Sequence, residues 1–330
     1  MIYNEMYERI GNTPLLKFED QELEGINLYA KLESCNPTGS VKDRAAQYVI
    51  EKVLSTREIN KDTTIIESSS GNFGIALSCY CKKRGLKSTI VIDPNILPFN
   101  EFIIRKYATN VIKVKKRDSK GGFLLTRTDL IKNLISKNDN YYWTNQYGNK
   151  YISDAYYYTV ATEICNEIEV DYIFLGVSSG GTISGVSRKI KECYPNAKVI
   201  AVDTVGSVIF GGEPKRRFIP GIGSCMRPSI LDIAQIDEVI KIDERDTIRS
   251  CYFIINKHSY VPGGSSGTVY EAIRRYFKDK SFDKKPNVIA LFADGGDRYM
   301  ETIYNSDWVN EHINFEEKVF WDLKLTPSRI

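Results

Sequence analysis

The chain is best understood from residues 34–44, which are Ser34-Cys35-Asn36-Pro37-Thr38-Gly39-Ser40-Val41-Lys42-Asp43-Arg44. A short β-type run, 26–33, precedes this segment, and a helical pattern follows it over about 41–54. The pattern places Lys42 in the first turn of the helix, where the helix dipole favours an uncharged amine. An easily neutralised lysine is a nucleophile that can form a Schiff base. The simpler interpretation is a solvated lysine at the start of a surface helix.

The composition limits the classes of protein to which the chain can belong. With 330 residues, of which 42% are hydrophobic, it can bury one large core or two ordinary ones. Its 45 basic and 42 acidic side chains give a net charge of only +3, so no nucleic-acid or membrane partner is expected. Seven scattered cysteines and two histidines predict neither a disulfide framework nor a metal site. Without a signal pattern at the N-terminus, we expect a cytoplasmic protein that binds small molecules.

Strand-like and helical patterns alternate along most of the chain. This alternation is typical of βαβ units and predicts an α/β fold with parallel sheets. The predicted strands after the first run are 63–67, 88–92, 111–114, 172–175, 199–203 and 288–292. The further predicted helices are 75–84, 123–134, 183–194 and 268–277. After about residue 305 the pattern fades into a short polar tail that ends at 327–330.

A second motif, Glu67-Ser68-Ser69-Ser70-Gly71-Asn72-Phe73-Gly74, directly follows a predicted strand and begins a helix. Small hydroxylic residues and free backbone amides at a helix N-terminus form an anion site that suits a carboxylate. Taken alone, the motif is equally typical of an ordinary strand-to-helix turn that is capped by serine.

Two glycine-rich turns complete the set of motifs. Gly176-Val177-Ser178-Ser179-Gly180-Gly181-Thr182 joins a predicted strand to a helix, and its amides and helix dipole suit a phosphate. It matches neither a Walker loop nor the Rossmann glycine spacing. Gly263-Gly264-Ser265-Ser266-Gly267 precedes another helix, where the simpler interpretation is a flexible turn with a serine cap.

Together these motifs resemble those of fold type II enzymes that depend on pyridoxal 5'-phosphate, the cysteine synthase and cystathionine β-synthase family. The resemblance extends from Gly11-Asn12-Thr13-Pro14-Leu15 to about Asp297. It implies a two-domain, three-layer α/β fold with parallel sheets. Residues 35–146 would form a small mobile domain that carries the substrate-carboxylate loop, and residues 1–34 and 147–330 a large domain that binds the cofactor phosphate.

The resemblance also assigns roles to individual residues. Lys42 would hold the cofactor covalently and act as the catalytic base and acid. The remaining cofactor-binding residues would be Asn72, Ser178, Ser179, Gly180, Gly181, Thr182 and Ser265. The substrate carboxylate would be bound by Ser69, Ser70, Asn72 and Phe73. Three positions depart from the family pattern: Ser69 and Phe73 replace threonines, and Ser178 replaces a glycine.

Four further runs resemble the N-(2-amino-2-carboxyethyl)-L-glutamate synthases, which serve 2,3-diaminopropionate and siderophore biosynthesis; the runs are 121–127, 142–149, 203–211 and 220–223. That group joins O-phospho-L-serine to L-glutamate by β-replacement and releases phosphate. Its substrates need further anion sites, and the second-substrate residues would be Arg127, Gln146, Tyr147 and Gly221. Arg216, Arg217 and Arg227 are weaker candidates, and a solvated helix residue is the competing interpretation of Arg127.

Other functions remain open from the sequence. An O-phosphoserine or O-acetylserine sulfhydrylase is the main alternative, because the same cofactor motifs would serve sulfide as the nucleophile. A catalytically inactive binding protein and an NAD-dependent dehydrogenase are more distant alternatives, since the cofactor motifs are intact and the dinucleotide fingerprint is missing. The resemblance further implies a homodimer with small amino-acid substrates.

Overall fold

A computed structural model describes residues 2–119 and 121–313. The strands, β1 to β10 in chain order, are Leu15–Phe18, Asn27–Leu32, Thr64–Ser68, Lys87–Ile92, Asn110–Lys113, Tyr141–Trp143, Tyr172–Gly176, Lys198–Thr204, Glu238–Ile242 and Asn287–Phe292. The α-helices, α1 to α10, are Lys42–Ser55, Asn72–Lys83, Pro98–Tyr107, Leu124–Ile135, Lys150–Tyr156, Thr162–Glu167, Gly181–Cys193, Glu244–His258, Gly264–Phe277 and Ser306–His312. A π-helical turn, Tyr157–Ala161, links α5 to α6.

The strands form two separate sheets. One has six strands in the order β1-β2-β10-β7-β8-β9, and the other has four in the order β5-β4-β3-β6. Strand pairs are parallel except for β1 and β2, which are antiparallel. The central strands are apolar on both faces because helices cover them on both sides, as parallel sheets require. The predicted α/β fold class with parallel sheets is therefore confirmed.

All seven predicted strands and all five predicted helices are present, with ends that shift by at most four residues. The strands that the pattern missed are β1, β6 and β9. They are short or half-exposed and lie at sheet edges, so they lack the long buried run that marks a central strand. The expected tail after residue 305 begins with helix α10, and its end at 327–330 lies outside the described residues.

Helix α1 packs between the two parts of the fold. It contacts α2, which follows a strand of the four-stranded sheet, and α5, which leads toward the six-stranded sheet. Its buried face is formed by Val49, Ile50 and Val53. The presence of two sheets agrees with two structural units, whereas the boundaries at 35 and 146 stay a prediction. Within the described residues, no helix combines the length and apolar character that a membrane crossing requires.

A network of charged side chains fixes the start of α1. Arg44 is fully buried and pairs with Glu33 through Nε at 2.6 Å and with Glu163 through Nη1 at 2.5 Å. Lys31 contacts Glu163 at 3.2 Å and Glu167 at 2.9 Å. The network ties strand β2, helix α1 and helix α6 together just behind Lys42.

Candidate functional site

The site lies where strands of both sheets end and the following helices begin. Three residues separate the end of β3 from the start of α2, and four separate the end of β7 from the start of α7. The segment after β10 joins them, because Asn72 at the start of α2 donates from Nδ2 to Oδ2 of Asp294 at 2.7 Å. The amide of Val41 donates to the carbonyl of Ala293 at 2.8 Å and brings the start of α1 to the same place. The crevice at the carboxyl ends of parallel strands is the usual ligand site of such folds.

Lys42 is the first residue of α1, as predicted. Burial lowers the pKa of its amine from 10.5 to about 8, and the negative charge of Asp294 acts in the opposite direction. The Nζ atom lies 5.6 Å from the centre of the Tyr156 ring. The expected fall in pKa is present, and burial is its main cause.

The turn before Lys42 is held from both sides. Asp43 accepts hydrogen bonds from the hydroxyl of Thr38 at 2.8 Å and its amide at 3.2 Å. Arg298 donates to the carbonyl of Gly39 at 2.9 Å and to that of Thr38. These contacts fix the backbone that sets the direction of the Lys42 side chain.

The predicted phosphate-binding turn leads into helix α7. Gly180 has a φ of +84°, and a Cβ atom there would lie 2.8 Å from Cγ of Leu231, so both conformation and space require glycine. Ser178 donates to the carbonyl of Gly223 at 3.1 Å, whereas Ser179 and Thr182 are buried at the helix N-terminus. Beside them lies the buried hydroxyl of Tyr156, which faces the side chain of Thr182.

In the predicted carboxylate loop, Ser69 and Ser70 make different hydrogen bonds. The oxygen of Ser69 accepts from the amide of Gly74 at 2.9 Å, which leaves its own O–H free to donate. Ser70 donates to Oδ2 of Asp93 at 2.9 Å and accepts from the Asp93 amide at 3.0 Å. Its proton is therefore already engaged, so Ser69 is the better hydroxyl donor for a carboxylate. Phe73 is buried, and its side chain packs into the core.

Arg127 lies against this loop. Its Nη1 atom donates to Oγ of Ser70 at 2.8 Å and is 2.9 Å from Oδ2 of Asp93. Its Nε atom is buried and has no hydrogen-bond partner among the described residues. Arg127 is thus not a solvated helix residue, and its Nε is a hydrogen-bond donor that no described residue uses.

Gln146 and Tyr147 follow strand β6 and lie beside the same loop. Gln146 donates from Nε2 to the carbonyl of Ser68 at 3.0 Å. The positive charge of Arg127 acts on the Tyr147 hydroxyl, but burial dominates and raises the pKa of Tyr147 to about 12. Tyr147 is therefore a neutral donor near the guanidinium of Arg127.

The neighbouring Glu67 is fully buried at the end of β3. It accepts from the hydroxyl of Thr144 at 2.6 Å and from the amides of Ser68 at 2.7 Å and Gln146 at 3.2 Å. Burial raises its pKa to about 7 against these donors.

Of the remaining predicted residues, Ser265 and Gly221 lie beside elements of the site, whereas the three weaker arginine candidates have other partners. Ser265 lies near the start of α9, with its Cβ atom 3.6 Å from the position of a Cβ on Gly176, at the end of β7. The backbone of Gly221 approaches Tyr299, whose hydroxyl donates to Asp294. Among the weaker candidates, Arg216 stacks on Phe218, Arg217 donates to a loop carbonyl, and Arg227 pairs with exposed Asp232.

The sequence interpretation missed two acidic residues of the site, Asp93 and Asp294, and it gave no role to Glu67, the first residue of the second motif. Each lies at or just beyond the end of a buried parallel strand. A charged residue directly after a continuous apolar run was the available signal, because such positions face the ligand crevice.

Helix N-termini around a buried, easily neutralised lysine define an α/β enzyme that can hold an anionic cofactor. Residues 6–294 match the pyridoxal-phosphate dependent enzymes, and the chain belongs to that family. The O-acetylserine dependent cystathionine β-synthase from Helicobacter pylori is 32% identical, with a TM-score of 0.85 and coverage of 92% of this chain and 100% of that one. A hydrogen sulfide-producing enzyme from Fusobacterium nucleatum is 31% identical, with a TM-score of 0.84 and coverage of 90% and 100%.

An O-ureido-L-serine synthase shares the fold at 24% identity, with a TM-score of 0.84 and coverage of 97% of this chain and 99% of that one. The expected resemblance to fold type II enzymes is thus confirmed, and pyridoxal 5'-phosphate is the cofactor. The site residues suit that cofactor: a buried amine for its aldehyde, a glycine-rich helix N-terminus for its phosphate, and the buried hydroxyls of Tyr156 and Thr182 at that terminus.

Proposed function

We propose that the protein catalyses a β-replacement that joins O-phospho-L-serine to L-glutamate. The products would be N-(2-amino-2-carboxyethyl)-L-glutamate and phosphate. The observation that carries this proposal is the buried guanidinium of Arg127, which lies against the carboxylate loop with an unpartnered Nε. A second substrate with two carboxylates gives this group a partner.

Lys42 would hold the cofactor through its amine and then move the proton of the substrate α-carbon. Pyridoxal phosphate supplies the electron sink that makes this proton acidic. An amine whose pKa is about 8 exchanges protons readily near neutral pH, so the same Nζ atom can take up a proton and later return it. This dual use explains how the enzyme can work with only two histidines.

The first substrate would bind through its α-carboxylate at the start of α2. The free O–H of Ser69 and the backbone amides of the loop are the donors, and the helix dipole adds favourable partial charge. Asn72 would lie beside the cofactor. The other proposed cofactor residues are Ser178, Ser179, Gly180, Gly181, Thr182 and Ser265.

The second substrate would bind at Arg127, with Tyr147, Gln146 and Gly221 nearby. Asp93 holds Nη1 of Arg127, which fixes the plane of the guanidinium while its Nε remains available. A carboxylate that leaves water without a partner costs several kcal/mol, so a prepositioned guanidinium favours an anionic nucleophile over sulfide.

A sulfhydrylase is the second candidate function. It is favoured by the 31% identity to a hydrogen sulfide-producing enzyme and by the 32% identity to an enzyme that depends on O-acetylserine. The name of the first relative contains hydrogen sulfide and that of the second O-acetylserine, whereas our proposal uses glutamate and O-phosphoserine. The choice depends on whether Arg127 contributes to binding of the second substrate.

A matrix of donors and nucleophiles separates the two functions. O-phosphoserine and O-acetylserine are each combined with glutamate and with sulfide, and the products are identified by mass spectrometry. We expect the glutamate adduct from O-phosphoserine as the fastest reaction. Cysteine formation that exceeds adduct formation with both donors would instead establish the sulfhydrylase.

The Arg127→Ala variant tests whether the buried guanidinium of Arg127 binds the second substrate. Loss of one charge-assisted contact, about 1.5 to 3 kcal/mol, should slow glutamate adduct formation roughly tenfold or more. Cofactor absorbance should change little, and the reaction of sulfide with O-acetylserine should slow by a much smaller factor, because loss of the contacts to Ser70 and Asp93 affects both reactions alike. Arg105→Ala, an exposed arginine on α3, is the matched control. Equal losses with glutamate and sulfide would show that Arg127 supports the loop rather than the second substrate.

A further inference from the structure

Asp294 is a buried carboxylate to which the proposed reaction gives no role. Its Oδ2 atom accepts from Nδ2 of Asn72 at 2.7 Å and from the hydroxyl of Tyr299 at 2.8 Å. Its Oδ1 atom is buried and has no hydrogen-bond partner among the described residues. An unpaired oxygen of a buried carboxylate is costly, so such an arrangement requires a compensating interaction.

The backbone is shaped around this carboxylate. A Cβ atom on Gly263 would lie 1.9 Å from Oδ1 of Asp294, so only glycine leaves room for it. The carbonyl of Asp294 accepts from the amide of Gly263 at 3.1 Å, and Ser40 bridges to the same residue just before α1. Asp294 therefore lies between the starts of α1, α2 and α9.

Among the charged groups around Asp294, Lys42 is the cation whose protonation state can change during the reaction. Burial raises the pKa of Asp294, and the charge of Arg298 lowers it in part, but Arg298 is already held by carbonyls of the turn at Thr38 and Gly39. The negative charge of Asp297 adds to the rise. The charge of Asp294 raises the pKa of Lys42 against burial. Other titratable groups that face the carboxylate from α8, the following loop and the turn after β10 are Cys251, Tyr260 and Tyr299.

We infer that Asp294 is a positioning residue that serves as the counter-ion of Lys42 and holds the amide of Asn72 toward the cofactor. Whenever Lys42 carries the proton that it takes from the substrate, the carboxylate stabilises the ammonium ion. Through Asn72, the same carboxylate also links the amine to helix α2. The inference rests on Lys42 being the reactive amine, which is the first part of the proposed function.

Asp294→Asn separates charge from hydrogen bonding, because the new amide oxygen can still accept from Asn72 and Tyr299. Lys42 is followed in the cofactor-free protein by competitive labelling with acetic anhydride across a pH series, and labelled peptides are quantified by mass spectrometry. Without the opposing charge, the midpoint of Lys42 labelling should fall by about one pH unit. In the pH dependence of activity, the rise on the acid side should also move to lower pH.

Asp297→Asn is the matched control, because it removes the same charge from an exposed position three residues away. Asp294→Ala removes the acceptor as well and should also weaken cofactor binding, measured by absorbance titration. A Lys42 midpoint in Asp294→Asn equal to that of wild type would overturn the inference, even where activity is lost. The labelling does not use turnover, so failure of the proposed reaction would not affect this result.

Discussion

At the scale of single residues, the protonation of Lys42 follows from two opposed effects. Burial disfavours the ammonium form, and the charge of Asp294 favours it. The sequence predicted an easily neutralised amine from its helical position alone. It could not predict the cause, because the groups around Nζ, such as Tyr156 and Asp294, lie more than a hundred residues further along the chain.

Lys42→Met tests this burial in the cofactor-free protein. A folded pKa of about 8 against 10.5 means that the buried ammonium opposes folding below pH 8. The cost falls as the pH rises from 8 toward 10.5 and is gone above it. The variant should therefore be more stable than wild type near pH 7, by up to about 3 kcal/mol. Urea unfolding at several pH values measures the difference, and a difference that does not shrink with rising pH would contradict the account.

At the scale of elements, the connection between β3 and α2 depends on Glu67. Its carboxylate accepts three hydrogen bonds, from the Thr144 hydroxyl and the amides of Ser68 and Gln146. A fourth and longer one comes from the indole of Trp143 at 3.5 Å. These donors join β3 to the segment that carries Gln146 and Tyr147. The sequence predicted the strand, the turn and the helix. It could not show that Trp143 of β6 would contact Glu67, because β6 is only three residues long and was not predicted.

Glu67→Gln should destabilise the protein, because the new amide nitrogen faces donors instead of accepting from them. Two lost contacts to a buried carboxylate correspond to about 2 to 4 kcal/mol. Urea unfolding near pH 8, above the raised pKa of about 7, measures the loss for the ionised form. Between pH 7 and about 4.5 the difference should widen, because folded Glu67 takes up a proton that the unfolded chain does not bind, whereas the variant does not titrate there. Glu101→Gln, on the exposed face of α3, is the control and should cost less than about 1 kcal/mol.

At the scale of the whole molecule, the alternation of apolar runs was enough to predict the α/β class and every central strand. The division into two sheets came only from family resemblance, because no linker marks it in the sequence. Neither the ion network around Arg44 nor the meeting of Asn72 with Asp294 could be predicted, since both join residues that are far apart in the chain. The boundaries at 35 and 146, closure of a mobile domain, the homodimer and the cytoplasmic location stay predictions.

Arg44→Met tests how far the network holds the fold together. The change leaves Glu33 buried and without its guanidinium, and loss of one partner from a buried pair costs about 3 to 5 kcal/mol. Thermal unfolding should shift downward, and cofactor affinity should fall because α1 loses its anchor. Arg105→Met removes an exposed pair and should leave both properties near wild type. An unshifted unfolding temperature in Arg44→Met would contradict a structural role for the network.

The most direct test of the account is to locate the cofactor on the chain. The pyridoxal-phosphate-loaded protein is treated with sodium borohydride, digested, and mapped by mass spectrometry. We predict that the cofactor is attached to the peptide that contains Lys42 and that Lys42→Met acquires none. Attachment to a different lysine, or recovery of all the cofactor as a free molecule from fully loaded protein, would contradict the account.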